Sequence, residues 1–387
     1  MEIPAFSQST CRIKIKTIFT LIIVKTKRVI YVLFIVTLGF IAQNLLGLEQ
    51  RAFSSGKSKN TGDSVPTLNV YTWVDYLDPE IVSDFEKEFH VKVHADFYDL
   101  EDAMYSLVQS EPGRYDLVFP SEGSMDEMIK SKLLLKFDEP DIPNLRNLHA
   151  RFRTIINKWK GYCVPIDWGV TGIAYNAKYV KDTVDSWRIF WDVKYKGHTA
   201  LVNDPYEVMS VGLKLLGYHL NPQNPNELDA TLKILKKLKP LLHNECFIAY
   251  NEIREKLRNE TLWIAQCYNG DAAILNDEDN DIKFVVPKEG TSFWIDVVAI
   301  PVGARNKRLA ESFINFMLRP EISALQANYS YYASCNKKAW RYVKKDILKN
   351  PYIFIDKRTI NKLEFYKILQ PDVQRKFNEC WAELLSK

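Results

Sequence analysis

The chain has 387 residues, too long for one ordinary hydrophobic core and of a size for two lobes. It is 47% hydrophobic, 13% aromatic and 26% charged, a globular composition that excludes a disordered or fibrous chain. The net charge of +4 is concentrated in residues 1–51, which hold seven Lys/Arg and two acids; the rest, with 45 bases (52 less 7) against 46 acids (48 less 2), lacks the basic excess of a nucleic-acid-binding body.

In chain order, Val29 to Leu48 is a run of twenty residues without a charge, preceded by Lys25, Lys27 and Arg28. A basic stretch before an apolar one is the pattern of an export signal. The run is also long enough to span a bilayer if it stays uncleaved. Cleaved signal and retained anchor both remain open. Residues 52–66 are small, polar and turn-prone, and read as a flexible tether. The six cysteines, at 11, 163, 246, 267, 335 and 380, include no pair with metal-ligand spacing. They read as small buried hydrophobes, with room for one disulfide.

From Leu68 onward strands and helices alternate. Leu68 to Trp73 is β-rich. Asp78-Pro79-Glu80 is a helix start, with Asp as cap, Pro at the first helical position and an acid near the positive helix end. Ile81, Phe85 and Phe89 then share one helical face. Val91–Ala95 alternates as a strand, Glu101–Gln109 reads as helix, and Tyr115–Phe119 is a short buried strand closed by Pro120. Ser121 is placed to cap a helix reaching Lys130. Further strands are predicted at Thr171–Tyr175, Thr199–Val202, Trp263–Cys267, Ile282–Val286 and Val297–Ile300. Helices are predicted at Val208–Leu216, Leu228–Lys239 and Leu309–Leu318. Such alternation implies an α/β fold with parallel strands. The lysines at 236, 237 and 239 read as a solvated helix face.

Four clusters sit at or just beyond the carboxyl ends of predicted strands, where open α/β sheets place ligand sites. They are Trp73-Val74-Asp75-Tyr76, Pro120-Ser121-Glu122-Gly123, Asp204-Pro205-Tyr206-Glu207 and Phe293-Trp294-Ile295-Asp296. A fifth is Tyr268-Asn269-Gly270-Asp271. Rings alternate with carboxylates, and in Trp73-x-Asp75 and Trp294-x-Asp296 both point the same way on an extended chain. That combination suits an elongated organic cation. Ring faces attract an ammonium, at about 0.5–2 kcal/mol each. Carboxylates fix amines, at about 1.5–3 kcal/mol per charged hydrogen bond. Micromolar affinity requires about 8 kcal/mol. The plainer alternative is a core aromatic beside a surface acid, with Asp204 and Glu207 as helix caps.

From Leu68 to about Lys338 the sequence resembles the spermidine/putrescine-binding proteins of bacterial polyamine ABC transporters. The shared features run in order. An opening strand ends in Tyr71-x-Trp73-x-Asp75-Tyr76, and Tyr115-Asp116-Leu117-Val118 leads into Pro120-Ser121. Pro165-x-x-Trp168-Gly169-x-Thr171-Gly172-Ile173 closes with Tyr175-Asn176. Then come Asp204-x-x-Glu207-Val208, Asn269-Gly270-Asp271, Pro287-Lys288-Glu289-Gly290 before Phe293-Trp294-x-Asp296, and Asn315-Phe316-Met317-Leu318-Arg319-Pro320.

The resemblance implies a type II periplasmic-binding-protein fold: two discontinuous α/β lobes with a ligand cleft between them. The expected division is 1–51 for the signal or anchor and 52–66 for the tether. Lobe 1 takes 67–168 and 291–340; lobe 2 takes 169–290 and 341–387. It further implies the extracytoplasmic solute-binding component of an ABC importer, a monomer that carries a polyamine to permease subunits. Trp73 and Tyr76 match aromatics flanking the polyamine, and Asp75 an acid meeting a terminal amine. Ser121 matches a pocket serine, Glu207 the second-lobe acid, and Asp204 its partner in spermidine-type members. Trp294 matches an aromatic wall and Asp296 an amine-binding acid. Asp271 and Tyr332 match putrescine-type positions. This chain has Tyr268 where the family usually has Trp, and Gly123 where some spermidine-type members carry a ring.

No cofactor, bound metal, nucleic acid or enzymatic activity is expected. Among six histidines only His90 and His94 have metal-like spacing, across a helix-to-strand boundary, and no Gly-x-Ser-x-Gly, phosphate loop or His-Glu-x-x-His occurs. Two rivals share the binding fold: a carrier of a different cargo, and a membrane-anchored polyamine sensor. An anionic cargo would want Arg or Lys in the clusters, which hold acids instead.

Overall fold

The computed structural model describes residues 65–360 and 362–386. The basic N-terminal region, its apolar run and nearly all of the tether lie outside the described residues. No helix among the described residues is long and apolar enough to cross a membrane.

The first part of the chain runs β1 (Thr67–Trp73), α1 (Pro79–Phe89), β2 (Lys92–Tyr98), α2 (Glu101–Ser110), β3 (Leu117–Val118), α3 (Met125–Lys130), β4 (Leu134–Leu135) and α4 (Ala150–Ile156). The long strand β5 (Cys163–Asn176) follows. Next come β6 (Thr199–Val202), α5 (Pro205–Leu215), α6 (Pro225–Leu238), β7 (Phe247–Ile248), α7 (Tyr250–Arg258), β8 (Ile264–Tyr268), α8 (Asn269–Glu278) and β9 (Ile282–Val285). The chain returns through β10 (Phe293–Pro301), α9 (Lys307–Met317), α10 (Pro320–Ser330) and β11 (Ala333–Ser334). It ends with α11 (Lys345–Lys349), α12 (Lys357–Ile360) and α13 (Pro371–Leu385).

Local chemistry sets several boundaries. Asp78 caps α1 through a bond from the Glu80 amide at 2.8 Å, and Ile81 and Phe85 face inward. Asp204 caps α5 in the same way, accepting from the Glu207 amide at 3.0 Å, again with Pro at the first helical position. Ser121 departs from expectation. It makes no capping bond, because its hydroxyl and amide both turn to the carboxylate of Glu101, at 2.5 and 2.8 Å. The side chain is turned toward Glu101, to which its hydroxyl donates, and away from the helix-end amides.

The strand order is β2-β1-β3-β10-β5-β8-β6-β7, with β4 on β10 and with β9 and β11 on β5. The two ends of this order are parallel, as the alternation of elements predicts: β1 with β2 and β3, and β6 with β7 and β8. The centre differs. β10 and β5 run antiparallel to each other, and β8 and β9 run antiparallel to β5. A chain that crosses from one half to the other and later returns lays those strands in opposite directions.

β5 shows this directly. Its first part, Cys163–Val170, pairs with β10, and its last part, Thr171–Asn176, pairs with β8 and β9. Hydrophobic packing forms two clusters, the larger of which also takes in second-half residues such as Val202, Ile248 and Leu257. One gathers Val70, Phe85, Leu117, Phe313 and Phe316, with the Phe85 and Phe313 rings edge to face at 4.8 Å. The other gathers Trp187, Val211, Leu235 and, from the C-terminal helix α13, Phe377 and Leu384. All five described cysteines are free, and four are buried. His90 ends α1 in a left-handed conformation while His94 sits on β2 beside Asp96, so the two do not share a site.

Asp116 ties the first half together. Its carboxylate, almost fully buried, accepts from the amides of Asn69 on β1 (2.9 Å) and of Arg305 and Asn306 before α9 (2.8 Å each). Asp116→Ala would deprive three backbone amides of their acceptor, each charged bond being worth about 1.5–3 kcal/mol. A loss of about 3 kcal/mol, read from the urea midpoint at constant m, is the expected outcome; a change under 1 kcal/mol would contradict this role.

Candidate functional site

The site forms where the two central strands meet the turns that leave the flanking strands. On β10 and β5, Trp294 lies opposite Gly169 and Asp296 lies opposite Asp167. The register shifts directly after Asp296, and this bulge ends the regular pairing beside the two acids. Opposite residues of an antiparallel pair project to one face, so the two carboxylates are near neighbours. Ser121, after β3, bridges to Asp296 from the other side.

Glycine makes room for the rings. A Cβ at Gly169 would lie 2.3 Å from the Trp294 ring and 2.4 Å from Oδ1 of Asn269, so the indole rests on bare backbone. A Cβ at Gly270 would lie 2.3 Å from the Tyr332 ring. Tyr331 ends α10 with φ of 58°, and this left-handed turn directs the chain so that Tyr332 reaches Gly270. Trp294 stands edge to face with both Tyr332, at 4.8 Å, and Tyr268, at 5.8 Å. Trp73 leans on Tyr98 at 4.4 Å, and Tyr76 is buried against Phe119. The indole nitrogens of Trp73 and Trp294 are both buried without a protein acceptor.

Carboxylates crowd among these rings. Glu207 is buried, accepts from Ser292 Oγ at 2.9 Å, and has the side-chain amide of Gln266 at 3.4 Å. Asp167 is fully buried, and Tyr76, Gln326 and Ser330 all approach its Oδ2 at 3.4 Å while Oδ1 has no partner. Glu122 is buried and accepts from the Ile295 amide at 2.7 Å. Asp271 is buried, with Arg254 Nη1 at 3.3 Å and the Tyr332 hydroxyl at 3.4 Å.

Burial is the first cause of the electrostatic outcome. It pushes Glu122 and Glu207 up to about 8, against ordinary values near 4.5. For Glu207 the neighbouring charge of Asp204 adds to burial. Asp167 rises to about 7 by burial alone, its hydrogen bonds pulling the other way. Asp271 rises only to about 6, because Arg254 opposes burial. Asp296 is driven well above the usual carboxylate range by burial and then by Asp167, Glu101 and Glu122. Glu101 and Asp204 also rise, by burial first, with the charge of Asp204 adding to the rise of Glu101. Among the described residues, ion pairs reach Asp75 and Asp271 through Arg254, and none reaches Asp204, Glu207 or Asp296.

The site residues expected from sequence therefore fall into two groups. Tyr76, Ser121, Asp204, Glu207, Tyr268, Asp271, Trp294, Asp296 and Tyr332 are linked by the ring contacts, hydrogen bonds and mutual charge effects above, and Trp73 joins them through Tyr98, which feels the charge of Asp296. Asp75 stands apart: its carboxylate is 55% exposed and bonded to Arg254.

Sequence reasoning passed over Glu101, Glu122, Asp167, Arg254 and Tyr366. The Tyr366 hydroxyl is buried without a partner near Glu207 and Asp204, and its Cβ lies 3.9 Å from the Cβ position of Gly123. A ring from the C-terminal segment thus stands beside the glycine where a side chain is lacking. For Asp167 a signal existed: an acid inside an otherwise apolar strand segment is costly unless it has a task.

A cation could neutralise several of these acids at once while ring faces hold its hydrocarbon. A model of the bacterial extracellular solute-binding protein family matches residues 80–352. The spermidine/putrescine-binding periplasmic protein of Salmonella typhimurium is 32% identical over 320 residues, covering 81% of this chain and 90% of the relative. A putrescine-binding periplasmic protein of Escherichia coli is 28% identical, covering 83% and 91%. Among solved structures, a spermidine/putrescine ABC transporter substrate-binding protein from Streptococcus pneumoniae is similar, with a TM-score of 0.72 and 28% identity over 82% of this chain and 98% of that one.

Removing one crowded carboxyl should help the empty protein. Asp296→Asn is expected to raise the melting temperature of the ligand-free protein at pH 8, because an amide escapes the cost that burial, and then the neighbouring acids, place on an ionisable carboxyl there. An unchanged or lower melting temperature would contradict the crowding. Gly169→Ala is expected to displace the Trp294 ring, seen as a shift of tryptophan emission with the fold retained by circular dichroism.

Proposed function

The chain belongs to the bacterial extracellular solute-binding proteins, with spermidine/putrescine-binding periplasmic relatives, and on that premise we propose that it captures a polyamine outside the cytoplasm for an ABC importer. One observation carries the cargo assignment. Six acids, Glu101, Glu122, Asp167, Asp204, Glu207 and Asp296, gather around the ring cluster, and four of them are buried. Among the described residues none has a lysine, arginine or histidine as an ion-pair partner. Burying uncompensated carboxylates is expensive. An incoming cation with several ammonium groups removes that cost at each acid it meets, and no neutral or anionic solute does.

The mechanism follows from the geometry. An ammonium at Asp296 sits beside Asp167 and below the Ser121 turn; one at Glu207 sits beside Ser292 and Asp204. Trp294, Tyr268 and Trp73 offer faces to the methylene units and cation–π attraction to the amines, about 0.5–2 kcal/mol each. We assign Trp73, Tyr76, Ser121, Asp204, Glu207, Tyr268, Trp294, Asp296 and Tyr332 to direct ligand contact. We take the halves on either side of the β5–β10 centre as lobes that close on the ligand by a hinge motion, 67–168 with 291–340 and 169–290 with 341–387. We take the chain to deliver its cargo to permease subunits as a monomer. No arrangement of nucleophile and base stands out in the site, and binding without turnover is the reading it supports.

Calorimetric titration of residues from about 64 onward with spermidine, putrescine and cadaverine should give micromolar or tighter binding to at least one. Asp296→Asn should weaken it at least tenfold. Tight binding of an amino acid or metal with no polyamine response would reject the cargo. The titration also has a proton signature. The raised acids hold protons when no cation is present, and an ammonium stabilises the ionised form. Binding therefore expels protons, and affinity rises as pH climbs from about 6 to 8.5, through the values given for Asp167, Glu122 and Glu207. Binding heats compared in buffers of different ionisation enthalpy check this; no proton release together with a flat pH profile would count against it.

A further inference from the structure

The acids of the site are not equivalent, because one arginine occupies two of them. Arg254, on α7, places Nη2 2.9 Å from Oδ2 of Asp75 and Nη1 3.3 Å from Oδ1 of Asp271. Asp75 belongs to the turn after β1, in the first half; Asp271 belongs to α8, in the second. One turn earlier on the same helix face, the Tyr250 hydroxyl donates to the carbonyl of Val74 at 2.8 Å. Tyr250 and Arg254 thus grip consecutive residues of one turn from across the cleft.

Three features set this grip apart from an ordinary surface ion pair. The Arg254 side chain is only 17% exposed and Asp271 7%, so the pair with Asp271 escapes most solvent screening. Asp75 holds φ at 56°, a left-handed conformation that costs a non-glycine residue and persists where surroundings hold it. Nε of Arg254 is buried with no partner, so the guanidinium spends its fork on the two acids.

We propose that Arg254 is a built-in cation that latches the turn at Val74–Asp75 to the second half and withholds Asp75 and Asp271 from the ligand, setting how many ammonium groups the site rewards. The inference rests on the polyamine reading above and deepens it. Two acids and one guanidinium leave that part of the site with a single negative charge. Without the guanidinium it would carry two, and a cargo with one more ammonium would gain most. The contacts to Asp75 and Val74 cross the cleft, so they resist its opening and slow ligand release.

The test is a titration of wild type, Arg254→Met and Arg254→Lys with putrescine, carrying two charges, and spermidine, carrying three. Release is timed by stopped-flow tryptophan fluorescence. Arg254→Met should speed release of both ligands at least threefold and raise the spermidine-to-putrescine affinity ratio at least fivefold. Arg254→Lys keeps the charge without the fork, so it should release faster yet keep the wild-type ratio within twofold. Equal loss of affinity for both ligands in Arg254→Met would reduce Arg254 to a structural role and overturn the proposal. So would a ratio that shifts as far in Arg254→Lys as in Arg254→Met, or release rates that stay unchanged. Wild-type protein that binds neither polyamine would overturn the cargo reading together with this one; binding with any of the former outcomes overturns this one alone.

Discussion

Like charges held close together in a dry place are unstable until something positive arrives, and the functional half of this structure is organised around that condition. Asp296 and Asp167 face each other across two paired strands, with Glu101 and Glu122 near enough to raise Asp296 further. Glu207 and Asp204 repeat the pattern at the start of α5. A fold optimised for stability alone would not bury these groups without cations. On the proposed reading, an ammonium that reaches these acids relieves the cost of burying them.

The rings complement the acids. Trp294 and Tyr332 rest on glycines, so their positions are set by backbone rather than by adaptable side chains. Such rigid walls lose little entropy when a flexible chain lies against them. The aromatic cluster also lowers the local dielectric response, which strengthens each ammonium–carboxylate contact. Tyr366 adds a ring and an unpartnered hydroxyl from the C-terminal segment, beside Gly123. The pocket can thus lose a ring at one point of the chain and receive one from another.

Arg254 shows a second use of the same electrostatics. It satisfies Asp75 and Asp271 from within the protein, and Asp271 accordingly rises less than Glu207, Glu122 or Asp167. An acid that already has a cation gains little from a ligand. The acids therefore divide into two that Arg254 satisfies, Asp75 and Asp271, and others, Asp204, Glu207 and Asp296, that no ion pair among the described residues reaches.

The sequence by itself determined the α/β class, the capped starts of α1 and α5, and the ring-and-acid clusters at strand ends, because these are local matters of spacing, propensity and capping. It also carried most of the residues of the candidate cluster, since turns after strands can be read one segment at a time. Only the tertiary structure decided which acids would lack a partner. Asp167 stands out as an acid in an apolar segment, but nothing near it in sequence reports that β10 lays Asp296 opposite it. Asp75 looks like a ligand acid until α7, some 180 residues later, brings Arg254 to it. The antiparallel centre and the Tyr366 ring are likewise products of a chain that leaves one half and returns. Electrostatic energy depends on distance in space, and distance along the chain does not report it.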